Sequence, residues 1–434
     1  MRISSKLILV PALLLAGACA APQAVVAPEV APLATTADID LRATREAART
    51  LIAEGTVANV VVGIATRSGG TTWLREGTLA FDNPTPADEQ SLYRIYSMTK
   101  PITGLTAAIL IAEGKLGLDQ PISEIIPEFA DPQVLVDKDV FGATRPAARE
   151  ITVRDLMTHM SGLGYSIIPS ALSEEYAKAG VVPGWRRDNP LRPTGPQPAD
   201  LQEFATRIAG LPLRTDPGTE WHYSVGLDVL GAVIERVEGK PFPAVLKERI
   251  FDPLGMDDTA FVVRREDIAR LTDNYVNFNG QIVPFDPAAN SEYLEPAPFP
   301  AGGAGLASTA EDYLRLMRAM AEAGRLNGRQ VLPAAAVELA LQNLLPDGGS
   351  VDAFQYLGTG FGAGGRVAVA ADGPEPIGSW GWGGAASTIA TAMPNEDIAY
   401  VVMTQLMLAG DKDVRTTLFN GVNADLAPLI GDTE

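Results

Sequence analysis

The chain has 434 residues, 46% hydrophobic and 20% charged, which excludes a disordered polymer and supplies enough apolar surface for one large domain or two. A formal net charge of −19 argues against a nucleic-acid ligand and against electrostatic docking on an anionic membrane. A single cysteine rules out an intramolecular disulfide, and two histidines are too few for a His-rich zinc site.

The first residues, "MRISSKLILVPALLLAGACAAPQ", carry the pattern of an export signal over 1–19. Arg2 and Lys6 make the charged start, Leu7 to Leu15 an apolar core too short to span a bilayer, and Ala16-Gly17-Ala18 a small-residue exit. Cys19 at that exit resembles the lipidated cysteine of a bacterial lipoprotein signal, with Ala16 where such signals usually carry leucine. The expectation is an exported protein of the cell envelope, lipid-anchored through Cys19. Ordinary cleavage after Ala18 or Ala20 and secretion is the alternative. Residues 20–38 are rich in Ala and Pro and read as a tether, with the folded domain at 39–428. No later apolar run reaches membrane-spanning length.

Along the domain, "DLRATREAARTLIAEG" predicts a helix, and "VANVVVGIATRSGGTTWLREGTLAF" a hairpin of two β-rich runs around Gly-Gly. The run "ITGLTAAILIAEG" has helical spacing, and Pro101 belongs in a first helical turn, so this helix opens near Ser97. From about 115 to 300 the pattern is helical segments joined by long loops: "TVRDLMTHM", "DLQEFATRIAGL", "VGLDVLGAVIERVEG" and "FPAVLKERIF". The loop from Ser166 to Pro198, rich in Pro and Gly, is long enough to be functional. Ser308 and Glu311 form a capping box for "STAEDYLRLMRAMAEAG". Strand candidates "GRVAVAA", "AASTIATAM" and "IAYVVMTQLM" follow, then a terminal helix near "VRTTLFNGVNADLA". Strands at both ends of a helical block predict an α/β (α+β) fold, one sheet interrupted by an inserted helical region.

The chemistry centres on "YSMTKPIT". Ser97 and Lys100 stand three apart at a helix start, so they share a face, beside free N–H groups and the positive end of the helix dipole. A lysine serves as a base only where burial and a positive helix end favour the neutral amine. A Ser-x-x-Lys match alone is weak, because about one is expected by chance in a chain this long. A Ser-His-Asp triad has little to work with: no G-x-S-x-G elbow occurs, and His159 in "LMTHMSGL" reads as a structural hydrogen-bonding histidine. Two further stretches matter. Tyr223 stands just before a helix in "HYSVGLDVLG". Trp382-Gly383-Gly384 leads a strand in "GWGGAAST", where glycines let a substrate approach the backbone and leave the Ala385 amide free to point into a site.

These three stretches, in this order, resemble the serine β-lactamase-related hydrolases: class C β-lactamases, DD-peptidases and, most of all, family VIII carboxylesterases. "DLMTHMSGLGY", "PLGMDDTAF", "GGAGLASTAEDYLRLM" and "LNGRQVLP" look alike too, and the likeness covers about residues 40 to 425. The resemblance implies an antiparallel sheet flanked by helices, with the site between sheet and helical region. It implies that Ser97 attacks a carbonyl, Lys100 helps take its proton and Tyr223 passes a proton to the leaving group. The amides of Ser97 and Ala385 would make the oxyanion hole, with Trp382, Gly383 and Gly384 against the substrate and no metal or cofactor. Two departures point to a small-molecule ester as partner and not a β-lactam. Val225 stands where the Tyr motif usually carries Asn, and Trp382 replaces the Lys of the Lys-Thr-Gly strand. A β-lactamase or D-Ala-D-Ala peptidase is the alternative, and an idle binder of cell-wall fragments a third reading.

Overall fold

The computed structural model describes residues 39–66, 70–182, 195–351, 359–410 and 413–430. The export signal, Cys19 and the tether lie outside these residues, as do positions 67–69 of the first hairpin and 183–194 of the Ser166–Pro198 loop.

The frame is an eight-stranded sheet: β1 (Asn59–Thr66), β2 (Thr71–Ala80), β3 (Asn83–Pro86), β4 (Gly360–Phe361), β5 (Arg366–Val367), β6 (Trp380–Gly383), β7 (Ile389–Met393) and β8 (Ile398–Met403). Their spatial order is β4-β5-β6-β7-β8-β1-β2-β3, each neighbour antiparallel to the next. The fold is therefore the expected antiparallel sheet flanked by helices, closed by pairing the first strand with the last. Side-chain alternation divides the core in two. Val60, Val62 and Ile64 of β1 join Val402 of β8 beneath α1 (Arg42–Ala53) and the C-terminal helix Val414–Leu426. Val61 and Ala65 face the larger core, with Leu314 and Met317 of the helix Ala310–Ala321 and the helical region beyond.

Within that region lie α2 (Thr99–Ala112), α3 (Val153–Thr158), α4 (Ser173–Lys178), α5 (Leu201–Ala209), α6 (Gly226–Glu238) and α7 (Phe242–Leu246). Three details differ from the sequence reading. The stretch 115–300 also holds two hairpins, Gln133–Leu135 with Thr144–Pro146 and Asn274–Phe278 with Gln281–Asp286. The second turns at Asn279-Gly280, both at positive φ, which is the local signature of a two-residue hairpin turn. The Ser166–Pro198 loop contains α4. Finally, the helix Ala310–Ala321 (α8) is capped one residue later than expected: Thr309 accepts from the Asp312 N–H at 3.1 Å. The displaced cap has a tertiary cause. Ala307–Thr309 pairs with the short strand Leu92–Arg94, which keeps the backbone extended through Thr309. A further helix, α9 (Ala334–Leu341), packs on α2, and Val414–Leu426 becomes α10. Among the described residues no helix is long and apolar enough to cross a membrane.

Candidate active site

The strand Leu92–Arg94 delivers the chain to Ser97 through a sharp corner. Ile95 N–H bonds the Leu306 carbonyl at 3.1 Å, Tyr96 takes φ of 42°, and a 3₁₀ turn over Tyr96–Met98 leads straight into α2. A non-glycine residue in the left-handed region is strained, and such strain persists only where its surroundings enforce it. The result is a half-buried Ser97 in the first helical turn, where backbone N–H groups lack intrahelical acceptors. Pro101 falls in the opening turn of α2, as its chemistry requires.

Lys100 is fully buried, with Nζ 3.3 Å from Ser97 Oγ. The same Nζ donates to the Gly303 carbonyl at 2.7 Å and lies 4.5 Å from the Tyr223 ring centre and 5.3 Å from that of Tyr165. Ser97, Lys100 and Tyr223, spread over more than 120 residues of sequence, thus meet in one cluster. Two groups absent from the sequence reading complete it. Tyr165 ends the stretch "DLMTHMSGLGY", whose sequence alone gives it no place in the site. Asp228, on α6 five residues after Tyr223, is fully buried and accepts the Gly303 N–H at 2.8 Å through Oδ1. Its Oδ2 is buried with no hydrogen-bond partner among the described residues. Burial pushes the Asp228 carboxyl up to about 6, with the charge of Lys100 and the Gly303 N–H acting the other way.

Tyr223 is held from behind by His159. That histidine ends α3 in the left-handed conformation, its carbonyl accepts the His222 N–H at 3.0 Å, and its Nδ1 lies 3.2 Å from the Ser224 N–H and 3.0 Å from Ser224 Oγ. Burial, then the charge of Lys100, lowers its pKa well below the ordinary histidine value. A neutral ring accepting from a backbone amide is a brace, as the sequence reading expected of His159. Val225 occupies the cap of α6 and is fully buried, its N–H on the Gly164 carbonyl at 3.0 Å.

On the sheet side, Trp382 is only 3% exposed, in edge contact with Phe361, and its indole N–H donates to the Tyr223 hydroxyl at 3.3 Å. The side chain expected against substrate is therefore mostly packed, with its polar edge on Tyr223. Gly383 continues β6 opposite Ile389. At Gly384 the loop meets the Ser97 corner so closely that a Cβ would stand 2.4 Å from the Ile95 carbonyl oxygen, which requires glycine there. Ala385 follows, exposed, with its N–H unpaired among the described residues. Beside Tyr223 opens a cleft of about 690 Å³, walled by Met160, Ile168, Trp221 and Pro346 and rimmed by Arg214 and Glu220. Tyr223 is the member of the cluster that lines this cleft, and Ser97 is not among its lining residues. No cluster of three or more potential metal ligands occurs among the described residues.

This fold and this cluster define a class before any particular relative is considered. Residues 45–420 match the profile of the Beta-lactamase family, and the chain belongs to that family; it is a serine hydrolase of the β-lactamase fold. It is 33% identical to Esterase EstB of Burkholderia gladioli over 74% of this chain and 80% of that one. It is 32% identical to the lovastatin esterase of Penicillium rubens over 63% of this chain and 65% of the other. Among solved structures, EstCE1, described as a hydrolase with promiscuous acyltransferase activity, superposes with a TM-score of 0.72 at 27% identity, covering 88% of this chain and 98% of its own. A penicillin-binding protein homologue from Caulobacter crescentus shares the fold, with a TM-score of 0.64 at 21% identity, over 90% of this chain and 99% of its own.

Proposed function

We propose that the protein is an exported carboxylesterase that cleaves small to medium esters through an acyl-enzyme on Ser97. The observation that carries this reading is the Lys100 amine 3.3 Å from Ser97 Oγ, inside a buried cluster that also holds Tyr223. As the Ser97 oxygen bonds to the ester carbonyl carbon, its proton passes to Lys100 and the carbonyl π pair moves onto oxygen. The Ser97 and Ala385 amides stabilise that oxyanion. Collapse breaks the bond to the alcohol oxygen, which takes the Tyr223 proton while Lys100 returns one to Tyr223. In deacylation, water attacks the acyl carbon, its proton moves through Tyr223 to Lys100, and Lys100 reprotonates the departing Ser97 oxygen.

Ester specificity is supported by Trp382, an apolar, indole-bearing group where a carboxylate-binding cation would stand, and by the buried Val225 in the Tyr motif. Both remove partners that a β-lactam carboxylate or amide would use. The similarity to Esterase EstB and to the lovastatin esterase points the same way. The cleft lined by Tyr223 offers room for a substrate portion on that side. The test joins three measurements: mass spectrometry of a fluorophosphonate adduct, turnover of Ser97→Ala, and kcat/KM for p-nitrophenyl esters, nitrocefin and a D-Ala-D-Ala peptide. The adduct belongs on Ser97, the variant is folded and inactive, and short acyl esters exceed nitrocefin at least tenfold. Equal turnover of nitrocefin and esters overturns ester specificity and makes the β-lactamase reading the better one.

A further inference from the structure

Arg415 spends its charge differently from the chain's other well-covered arginines. Arg94 pairs with Asp286, Arg318 with Glu322 and Arg366 with Glu375. Arg415, the second residue of α10 and half-buried, instead donates Nη2 to the main-chain oxygen of Gly384. Among the described residues no carboxylate pairs with it, and its buried Nε has no hydrogen-bond partner. Among the described residues, the Gly384 oxygen is the acceptor that this guanidinium meets.

That carbonyl belongs to the same peptide unit as the Ala385 N–H. In a trans peptide, C=O and N–H point opposite ways across one rigid plane, and no peptide bond among the described residues is cis. A guanidinium fixed behind the oxygen therefore aims the amide hydrogen in front. The preceding peptide is held too, where the Gly384 N–H donates to the Thr388 carbonyl at 2.9 Å, and Gly384 abuts the Ile95 carbonyl, two residues from Ser97. The charge also polarises the peptide: electron density drawn to the oxygen leaves the N–H a stronger donor, and hydrogen-bonded groups in series reinforce one another.

We propose that Arg415 is a positioning residue for the hydrolase reaction, orienting and polarising the Gly384–Ala385 peptide toward the oxyanion. The inference rests on the reading of Ser97 as nucleophile and the Ala385 N–H as oxyanion donor. A merely structural tie between α10 and this loop would affect stability alone, so the test needs readouts that packing does not move.

The experiment compares wild type with Arg415→Met and Arg415→Lys, each checked for folding by circular dichroism. It measures kcat and KM on p-nitrophenyl butyrate and inhibition by an aryl trifluoromethyl ketone, whose adduct with the serine carries the oxyanion. Loss of a direct oxyanion donor lowers kcat about 10²- to 10³-fold, and an effect through one peptide is smaller. Arg415→Met loses about 10- to 50-fold in kcat with KM within twofold, and ketone affinity falls by the same factor. Arg415→Lys loses about three- to tenfold in both together, and it decides the matter should the Met variant not fold. A kcat within twofold of wild type, or a loss confined to KM or Tm with ketone affinity unchanged, overturns the proposal. Fluorophosphonate labelling separates the two levels. With Ser97 labelled in the wild type and the variants unaffected, the Arg415 inference alone falls. With Ser97 unlabelled, the nucleophile assignment falls and this inference with it.

Discussion

Replacing Gly384 by alanine tests whether the site depends on backbone contact between the sheet and the Ser97 corner. The added Cβ would stand 2.3 Å from Thr388 Oγ1 and 2.4 Å from the Ile95 carbonyl oxygen. The hydroxyl can rotate away. The carbonyl cannot, because Ile95 is tied through its N–H to Leu306 and precedes the strained Tyr96. Ordinary contact therefore requires a shift of about 1 Å in either the Gly384–Ala385 peptide or the Ser97 corner. Overpacking of this kind costs about 1–3 kcal/mol, which in a chain this size lowers Tm by about 1–4 °C. A 1 Å misplacement of catalytic groups costs about 10²-fold in rate, or about 2.7 kcal/mol of activation free energy. The assay is kcat on p-nitrophenyl butyrate beside Tm from scanning calorimetry. The expected result is a folded Gly384→Ala enzyme with kcat down about 100-fold. A folded variant with kcat within threefold of wild type would refute the reasoning.

Three further outcomes are expected. Trp382→Phe keeps an apolar ring but removes the donor to the Tyr223 hydroxyl, so kcat falls about three- to tenfold with KM within twofold; steady-state kinetics showing unchanged kcat would remove Trp382 from any role in setting Tyr223. Asp228→Asn removes a carboxyl whose folded value, about 6, lies above its ordinary 3.8. Such a group binds its proton more tightly when folded, so it lowers wild-type stability as pH rises from about 4 through about 6 and adds no further loss above that, and the Tm difference between variant and wild type should move in the variant's favour across that window. Parallel Tm–pH curves would contradict it. Cys19→Ala should shift the protein from the membrane fraction to the soluble fraction; an unchanged distribution on fractionation would favour secretion after ordinary cleavage.

Local sequence carried a good part of this molecule, because some of its chemistry is local. Ser97, Lys100 and Pro101 are spaced for one helical turn, and their arrangement follows from the geometry of that turn. The terminal β-runs announce two strands that pair in the finished sheet, and the glycines of "GWGG" mark a close backbone approach. Tertiary structure alone decided what surrounds Ser97. The Gly303 carbonyl that receives the Lys100 amine is 203 residues away, and the Gly384 carbonyl that receives Arg415 is 31 away from it. Neither contact leaves a periodic trace, since each joins backbone to a side chain from a different element. The cap of α8 shows the same limit: Ser308 and Glu311 make a sound local box, and pairing with Leu92–Arg94 moved it to Thr309. Trp382 reads as an apolar substitute for a lysine, yet only packing against Phe361 turns its indole N–H to Tyr223. Periodicity and motif spacing report forces within one element, whereas the direction of a polar group inside the site is set by what the chain brings beside it.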